Sequence, residues 1–312
     1  MDLLNALTEE FESGQALAAR FDVTRAAVSK AARALADDGY PVETQRSRGY
    51  RLRPGSPSAA ALGSALTGSY GRDYRYLGHT GSTQDELRTW ASEGAAEGAL
   101  VVAERQDEGR GRRGRSWTTV PGTGLAFSLL LRPRLPVARL PLLSLAAGVA
   151  VVDAIGLGSL KWPNDVLAPD GRKMAGILAE SQTTGEEIDF VLLGIGIDVE
   201  PPAPEGGAAV AEFAPSVRRV SLLARVLAAL EPLIAGLGGG PDALLAAWSA
   251  RTQMLGRHVR AQGAAGTLLG VATELDASGA LVLRQRDGRA LTVSAGDVEL
   301  VRDTDAEEGV MT

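Results

Sequence analysis

The feature that most restricts the possible folds is the longest apolar run, which extends over residues 140–157 and contains Pro141 and Asp153. A membrane-spanning helix needs about 20 predominantly apolar residues. The interrupted run therefore predicts a helix buried inside a globular core rather than a membrane span. The N-terminus has acidic residues where a secretory signal peptide requires a basic region. We accordingly expect a cytoplasmic protein without a membrane partner.

The composition excludes several kinds of active site. The 312 residues include no cysteine, which excludes disulfides, thiol nucleophiles and cysteine-ligated metals. The two histidines, His79 and His258, are far apart in the sequence and give little support to a histidine zinc site or a Ser-His-Asp triad. A net charge of −6 argues against a protein that coats nucleic acid along its whole length. The chain is long enough for two or three domains.

Residues 1–54 have the pattern of short helices followed by a hairpin. Apolar residues at helical spacing begin the segment, and Thr24 is placed to cap a helix over residues 25–37. Two alternating stretches, residues 41–45 and 49–53, then predict a β-hairpin. This order of elements predicts a winged helix-turn-helix domain.

The third helix and the hairpin turn of this domain are rich in basic residues. Residues 20–53 contain eight basic and four acidic residues, a local charge of +4 in an acidic protein, as contact with phosphates requires. We predict that the third helix enters the major groove of DNA and that the hairpin lies along the phosphates. The alternative is a helical bundle that binds another protein. The residues predicted to bind DNA are Arg25, Ser29, Lys30, Arg33, Arg46 and Arg48.

Two changes of pattern divide the rest of the chain. Residues 54–61 are turn- and linker-like, and helices and strands alternate over residues 60–250, which predicts a mixed α/β domain around one main sheet. Within it, residues 200–215 are rich in Pro, Gly and Ala and are expected to form a lid or to be disordered. Residues 254–303 contain short strands and tight turns, which predicts a small SH3-like β-barrel. The whole chain is therefore predicted to be an α+β multidomain protein.

A loop in the middle domain concentrates glycine and arginine. Residues 104–117 contain Gly109, Gly111 and Gly114, which allow sharp turns and close approach to a ligand. The interleaved arginines supply positive charge and planar groups suited to phosphate or carboxylate. The loop is not a Walker loop, because no Gly-Lys-Ser/Thr follows. Anion binding is one interpretation, and a nucleic-acid-binding arm or a solvated basic loop are the alternatives.

Lysine is rare in this chain, since only Lys30, Lys161 and Lys173 occur among 32 basic residues. Lysine is a compact charge on a flexible stem, whereas arginine is a bulky planar fork. The two lysines of the middle domain therefore indicate sites where the fork does not fit, with chance placement as the alternative. Asp165 lies between them, and a carboxylate beside an arginine-rich loop is a candidate Mg²⁺ ligand because nucleotide phosphates usually bring that ion.

The start of another predicted helix offers further candidates. Ser82 and Thr83 precede an amphipathic stretch, and their hydroxyls together with free backbone N–H groups can hold a polar ligand. Simple capping of the helix by these hydroxyls is the alternative.

Taken together, these motifs resemble a known family. The chain contains, in order, GSTQ, ERQDEGRGRRGRSW, KWPND, RKMAGIL and GIGIDV. In this order they resemble the motifs of the biotin protein ligases. The N-terminal winged helix and the C-terminal small barrel resemble the bifunctional subgroup, which also represses biotin operons. The resemblance covers nearly the whole chain.

The resemblance implies ATP-dependent ligation in two steps. The biotin carboxylate attacks the α-phosphate of ATP to give biotinyl-5′-AMP and pyrophosphate, and a lysine of the biotin carboxyl carrier protein of acetyl-CoA carboxylase then displaces AMP. The implied ligands are biotin, ATP and Mg²⁺. The bifunctional subgroup further implies a homodimer when biotinyl-AMP is bound, with operator DNA as a partner. The alternatives are a ligand-sensing transcription factor without ligase activity and a related lipoyl or octanoyl ligase.

The resemblance also implies roles for individual residues. Lys173 contacts the biotin carboxylate and the phosphate, and Asp165 helps to hold Mg²⁺. Residues 110–112 close over the intermediate, and Trp117 and Trp162 are candidates for the pocket wall, with ordinary core packing as the alternative for Trp162. The implied catalytic residues are Lys173, Arg110 and Arg112. The residues implied to bind the substrates are Ser82, Thr83, Gln84, Gln106, Arg110, Gly111, Arg112, Lys173 and Asp198.

Two positions depart from the family's pattern. Gln84 follows Ser-Thr where the family usually has Asn, and its longer side chain reaches further. Asp198 stands where the family commonly has Asn. An ionised carboxylate accepts hydrogen bonds but cannot donate them, so the adenine contact implied at this position is altered.

Overall fold

The computed structural model describes residues 1–263, 266–294 and 296–301. Its first part is a small helical domain with a hairpin, as predicted. The Thr24 hydroxyl accepts a hydrogen bond from the Ala27 N–H at 3.1 Å, which explains why the third helix begins at Arg25. Leu17, Val28 and Leu52 meet in a separate small core. The elements are α1 (Leu3–Ala6), α2 (Gly14–Phe21), α3 (Arg25–Asp37), β1 (Val42–Gln45) and β2 (Gly49–Leu52).

The middle of the chain forms one mixed seven-stranded sheet. Its strands are β3 (Tyr74–Thr80), β4 (Leu100–Gln106), β5 (Gly124–Leu131), β6 (Ser159–Lys161), β7 (Asp165–Leu167), β8 (Lys173–Thr184) and β9 (Glu187–Asp198). They lie in the order β3-β4-β5-β9-β8-β7-β6, with β3 and β4 parallel and the other pairs antiparallel. This order brings the N-terminal end of β8 and the C-terminal end of β9 side by side.

Helices cover both faces of this sheet. One face packs against a single helix through a cluster that includes Leu87, Val101 and Phe190, and the other face packs against the remaining helices. The single helix on the first of these faces is α5 (Thr83–Ser92). The helices on the other face are α4 (Ala59–Ala65), α6 (Pro141–Ile155), α7 (Arg219–Gly236) and α8 (Asp242–Ser249).

Helix α6 is the helix predicted from the apolar run. It packs against α7 and the sheet, and twelve of its fifteen residues are buried. By length and composition, residues 137–155 and 219–239 could each cross a membrane, but 67% and 50% of these segments are buried inside the protein. Both helices therefore bury their apolar surface in the core of the central domain.

The C-terminal strands form a five-stranded antiparallel sheet in the order β13-β12-β11-β10-β14. The described residues of β13 and β14 are the edges of this sheet, so its hydrogen bonding does not close into a barrel. The last two residues of the predicted domain 254–303 lie outside the described residues. The strands are β10 (His258–Gly263), β11 (Gly266–Leu275), β12 (Leu281–Arg284), β13 (Ala290–Val293) and β14 (Asp297–Leu300).

The helix-turn-helix domain packs closely on the central sheet. A Cβ placed on Gly78 would lie 2.5 Å from the Asp38 carbonyl oxygen, so the two backbones are in direct contact. The Tyr40 hydroxyl donates to the Tyr76 carbonyl at 3.0 Å. Within the predicted linker Ser56 is buried, and α4 already begins before the linker ends. The linker is therefore packed against the protein rather than free.

The segment 200–215, which the sequence predicts to be either a lid or disordered, is ordered in part. Ala208 N–H donates to the Lys173 carbonyl at 2.8 Å, and residues 208–210 are fully buried. Disorder is excluded for the buried part. Residues 204–207 border the main cavity, as a lid would.

Candidate active site

One cavity of about 430 Å³ lies above the central sheet, between the start of α5, the arginine-glycine loop and the strands β8 and β9. It collects residues from segments that are far apart in the sequence. All the residues predicted to bind the substrates line it, namely Ser82, Thr83, Gln84, Gln106, Arg110, Gly111, Arg112, Lys173 and Asp198. The predicted metal ligand Asp165 lies beside it, in contact with Lys173.

Neutral hydrogen-bonding groups gather at the start of α5. The Thr83 N–H and hydroxyl donate to Oε1 of Gln106 at 2.8 and 3.1 Å, and the Thr83 hydroxyl lies 2.8 Å from that of Ser128. Ser82 is the N-cap by position, yet its side chain makes no cap hydrogen bond. Simple capping is therefore wrong for Ser82, which borders the cavity.

Ser128 is a residue that the sequence analysis missed. It lies in the otherwise apolar strand β5 and is fully buried, with its side chain at the cavity wall. A lone hydroxyl in a continuous apolar strand is a signal that could have identified it, because buried polar groups need partners.

Gln84 has a structural contact that bears on its departure from the family's pattern. Its Nε2 donates to the backbone carbonyls of Leu178 and Leu192, each at 3.2 Å. A Cβ on Gly194 would lie 3.2 Å from the Gln84 side chain, so the glycine makes room for the longer residue. The amide nitrogen is thus used to tie α5 to β8 and β9.

The arginine-glycine loop folds as a tight turn above the cavity. The Gly111 N–H donates to the Arg115 carbonyl at 2.6 Å, and Arg113 adopts φ 57°, in the left-handed region. The C-terminal sheet holds the turn from the other side. Arg113 donates to the Gln262 carbonyl at 2.8 Å and Arg115 pairs with Asp297 at 3.2 Å. Contacts from the third domain therefore fix the shape of this loop.

Arg110 is neutralised by carboxylates. Its guanidinium donates to both oxygens of Asp85 at 2.6 and 2.9 Å and lies 3.4 Å from Glu180. Arg88 pairs with the same two acids. The hydrogen bonds that Arg110 donates to Asp85 lower the pKa of the Asp85 carboxyl and raise the pKa of the Arg110 guanidinium. The side chain of Arg110 thus anchors the loop to α5 and β8.

Arg112 is in a different situation from Arg110. Its Nη1 donates to Oδ1 of Asn164 at 3.3 Å and to the Gly296 carbonyl at 3.1 Å. Within the described part of the chain, no carboxylate forms an ion pair with it. Burial lowers the pKa of the Arg112 guanidinium. This arginine therefore brings to the cavity wall a positive charge that has no ion-pair partner among the described residues, although Asp297 and Asp165 are near enough to oppose the lowering of its pKa.

Lys173 begins β8 and reaches the same end of the cavity. Its Nζ lies 2.7 Å from Oδ1 of Asp165 and 5.7 Å from the ring centroid of Trp117. Asp165 stands opposite Lys161 in the β6–β7 hairpin. Among the described residues no group of three or more His, Cys, Asp or Glu side chains could hold a metal. A single carboxylate fits Mg²⁺ only when phosphate and water supply the other ligands.

The two tryptophans have separate places. A Cβ on Gly196 would lie 2.1 Å from the Trp117 ring, so the indole rests directly on this glycine, and its Nε1 is buried without a hydrogen-bond partner in the described residues. Trp162 does not border this cavity. It is 2% exposed and donates to the Gly279 carbonyl at 3.0 Å, and the expectation that it walls the pocket is wrong.

Asp198 ends β9 at the cavity and is only 9% exposed. Burial raises its pKa to about 7, against the smaller opposing effect of Lys173. Within residues 1–263, 266–294 and 296–301, no side chain or backbone group donates a hydrogen bond to its carboxyl group. The departure from the family's pattern therefore gives a group that is partly neutral near pH 7.

The residues predicted to bind DNA lie on the surface of the first domain. Arg25, Lys30, Arg33 and Arg46 are exposed and Ser29 is half-buried. Arg48 is exposed as well and stacks on the Phe11 ring at 4.4 Å from its centroid. This placement leaves the basic groups accessible to a phosphate backbone.

Comparison with known proteins finds family matches for three segments of the chain. Residues 78–198 match the biotin/lipoate A/B protein ligase family, residues 1–51 match a helix-turn-helix domain, and residues 254–301 match the biotin protein ligase C-terminal domain. Bifunctional ligase/repressor BirA of Bacillus subtilis is 34% identical in an alignment that covers 96% of this chain and 97% of that protein.

A second relative and a solved structure agree. Bifunctional ligase/repressor BirA of Escherichia coli is 30% identical and covers 93% of each chain. Biotin protein ligase from Aquifex aeolicus in complex with biotin and ATP superposes with a TM-score of 0.64 at 28% identity, over 74% of this chain and 100% of that chain. This chain therefore belongs to the biotin protein ligase family, in its bifunctional ligase/repressor branch.

Proposed function

We propose that the protein activates biotin with ATP to biotinyl-5′-AMP and transfers the biotinyl group to a lysine of the biotin carboxyl carrier protein of acetyl-CoA carboxylase. One observation carries this proposal. The cavity has a neutral hydrogen-bonding end at Ser82, Thr83 and Gln106 and a cationic end at Arg112 and at Lys173, whose ammonium is paired with Asp165, the candidate Mg²⁺ ligand. Biotin has the matching form, a neutral ureido ring at one end and a carboxylate at the other.

The cationic end supports the first step. In that step a carboxylate oxygen bonds to the α-phosphorus while the bond from phosphorus to the pyrophosphate oxygen breaks. Both reactants are anions, so their approach in a buried site needs positive charge that is already in place. Lys173 and Arg112 have their charged groups at this end, and we assign them the catalytic roles.

Arg110 takes a different role in this proposal. Its pairing with Asp85 and Glu180 supports anchoring of the loop by the side chain, with closure over the intermediate left to the backbone at Gly111. Asp165 would hold Mg²⁺ together with the phosphates. The metal would neutralise phosphate charge when bound.

In the second step the carrier lysine attacks the acyl carbon and AMP leaves. The lysine ammonium loses one proton before it attacks, and the nitrogen releases a second proton to solvent as the amide forms and AMP departs. The ligase family relatives support biotin as the acyl group, and lipoate or octanoate is the alternative substrate.

The first domain supports a second role as a biotin-responsive repressor that binds operator DNA. We propose that biotinyl-AMP favours a homodimer whose two helix-turn-helix domains bind together, with Arg25, Ser29, Lys30, Arg33, Arg46 and Arg48 facing DNA. We also propose a cytoplasmic location, and an SH3-like, partly open barrel for the C-terminal sheet. Changing Arg46 to alanine should lower the slope of DNA affinity against salt by about one.

The ligase proposal is tested by incubating the protein with ATP, Mg²⁺, biotin and the carrier domain and measuring the carrier's mass. Wild type should add one biotin, and Lys173→Ala should slow the first step on the order of a hundredfold or more. Lys30→Ala, the matched change in the first domain, should leave the rate unchanged. Lys173→Arg tests whether the planar fork fails to fit.

The outcomes separate the alternatives. No mass change with biotin but a mass change with lipoate or octanoate would replace the substrate. No mass change with any of them, together with biotin-dependent DNA binding, would leave a sensor without ligase activity.

A further inference from the structure

Phe11 is an aromatic residue of the first domain whose ring lies against charged side chains. It is half-buried, and the small core that the described residues form around Val28 does not include it. The guanidinium carbons of Arg48 and Arg51 each lie 4.4 Å from the centroid of its ring. The face of an aromatic ring is negative and attracts a guanidinium placed over it. Phe11 therefore serves as a platform for two arginines of the hairpin.

The backbone fixes the position of this ring beside the hairpin. Glu12, the residue after Phe11, exchanges two backbone hydrogen bonds of 2.9 Å with Tyr50 of β2. A Cβ on Gly49 would collide with the Glu12 carbonyl oxygen, so the two chain segments are in direct contact. Because both segments are held in this way, the Phe11 ring cannot move away from the hairpin turn without breaking hydrogen bonds.

The two arginines on the ring differ in their other contacts. Arg51 donates through Nε to Oε2 of Glu43 at 2.7 Å and through Nη1 to the Glu9 carbonyl at 3.4 Å. The side chain of Arg48 is exposed, and within the described part of the chain it has neither an ion pair nor a hydrogen bond. The charge of Arg51 is matched by a carboxylate of the hairpin, whereas the charge of Arg48 is available to an anion from outside the chain.

We propose that Phe11 is a positioning residue for DNA binding, and that its ring holds the Arg48 guanidinium in the orientation in which it contacts a phosphate of the duplex. The inference rests on the proposed binding of DNA by the first domain. Stacking uses a face of the guanidinium and leaves its N–H edge free to donate two parallel hydrogen bonds to phosphate oxygens. A side chain that is already held loses less conformational freedom on binding. Phe11 thus raises the affinity without touching the DNA.

Arg46 gives a comparison within the same turn. It is exposed like Arg48, but within the described residues its guanidinium lies over no aromatic ring. A point charge is sufficient for a phosphate contact of a mobile side chain, so Arg46→Lys should leave the affinity for DNA nearly unchanged. Arg48→Lys keeps the charge but loses the planar stack, and it should lower the affinity about two- to fivefold. Equal effects of the two substitutions would contradict a special role for the ring.

The experiment measures the affinity of the full chain for a DNA duplex of random sequence, with biotin, ATP and Mg²⁺ present, by fluorescence anisotropy over a range of salt concentrations. Phe11→Leu should lower the affinity about two- to fivefold. It should leave the slope of log affinity against log salt unchanged, because no phosphate contact is lost. Arg48→Ala should lower the affinity further and reduce that slope by about one. Phe11→Tyr keeps the ring and should bind as wild type.

A double-mutant cycle separates positioning from a general effect on the fold. In the Arg48→Ala protein, Phe11→Leu should cause no further loss of affinity, since the ring then has no phosphate-binding charge to hold. Arg46→Ala should cause the same loss whether residue 11 is phenylalanine or leucine, which would show that the hairpin is intact. Arg51→Gln is the control for the second arginine on the ring, and it should leave the salt slope unchanged because the charge of Arg51 is already paired.

Three results would overturn the inference and leave the proposed DNA binding in place. They are wild-type affinity in Phe11→Leu, losses from Phe11→Leu and Arg48→Ala that add in the double variant, and an equal loss in Phe11→Tyr and Phe11→Leu. If the wild-type protein does not bind the duplex at any salt concentration, the proposed DNA binding itself fails, and the phosphate contact of Arg48 fails with it.

Discussion

Two carboxyl groups are buried in the same sheet, and their surroundings differ. Glu104 on β4 is 1% exposed and accepts hydrogen bonds from Arg219 at 2.8 and 2.9 Å, from the Gly122 N–H at 2.6 Å, and from the Tyr76 hydroxyl. Asp198 on β9 is 9% exposed and has no such donor among the described residues.

The comparison shows that the hydrogen-bond donors around a buried carboxyl group indicate its role. When protein groups donate hydrogen bonds to every oxygen of a buried carboxylate, they offset the cost of removing it from water. Such a carboxylate holds distant segments together. Arg219 also donates to the Ser56 hydroxyl, so this cluster joins the first domain's linker to the sheet. A carboxyl group without donors is left for a ligand or for a proton. The first arrangement is structural and the second is available for recognition.

The largest effect on stability should come from breaking the filled site, by which we mean the Glu104 carboxylate and the protein groups that donate hydrogen bonds to it. Arg219→Met removes the charge partner and leaves Glu104 buried without it. We expect a loss of about 3 to 5 kcal/mol in the free energy of unfolding, measured by urea denaturation at pH 7.

The control for this change is the double variant Arg219→Met with Glu104→Gln. It removes the orphaned charge and should recover a large part of the loss, because the cost lies in the unpaired carboxylate rather than in the missing contact. A loss below about 1 kcal/mol in the single variant would mean that the cluster is not structural.

At the unfilled site, the Asp198 carboxyl group, a substitution is expected to raise the free energy of unfolding rather than lower it. The pKa of Asp198 is raised from 3.8 to about 7 in the folded protein, so wild type loses stability as pH rises from about 4 to about 7. Asp198→Asn does not titrate and should be more stable than wild type above pH 7, by at most roughly 4 kcal/mol. Urea denaturation at pH 4.5 and pH 8 measures the difference, which should be small at the lower pH. An equal difference at both pH values would rule out this titration.

The comparison also shows what local sequence patterns can predict. Helix α3 and its Thr24 cap, the buried helix α6 and the strands around the motifs follow from periodicity and capping, which act over a few residues. The residues around the cavity were implied by the resemblance of short motifs to those of a known family. Arg110 shows the limit, since its neutralisation depends on Asp85 and Glu180 from two other elements.

The filled site could not be predicted from the sequence. Glu104 and Arg219 are separated by 115 residues, and nothing near either one identifies the other. The order of the strands was not predicted for the same reason, and neither was the close packing of Gly39 and Gly78 between domains. These features depend on long-range contacts, which one sequence does not record.

A smaller effect should follow from removing one donor of the filled site. Tyr76→Phe deletes the hydroxyl that donates to Glu104 and leaves Arg219 and the Gly122 N–H in place. We expect a loss of about 1 to 2 kcal/mol in the free energy of unfolding. Tyr70→Phe is the matched control, because its hydroxyl makes only a 3.4 Å contact with Glu97, and it should cost less. An equal loss in both variants would show that the network adds nothing at Tyr76.

The smallest effect should come from a charge pair that is not buried. Asp297 binds Arg113 and Arg115 across the arginine-glycine loop, but the three side chains are 34%, 44% and 56% exposed. Water and salt screen such pairs, so Asp297→Asn should cost about 0.5 kcal/mol or less, and less still in high salt. Urea denaturation at low and high ionic strength measures both quantities. A loss as large as that of Arg219→Met would mean that the number of ion-pair partners, rather than burial, determines how much a charged side chain contributes to the free energy of unfolding.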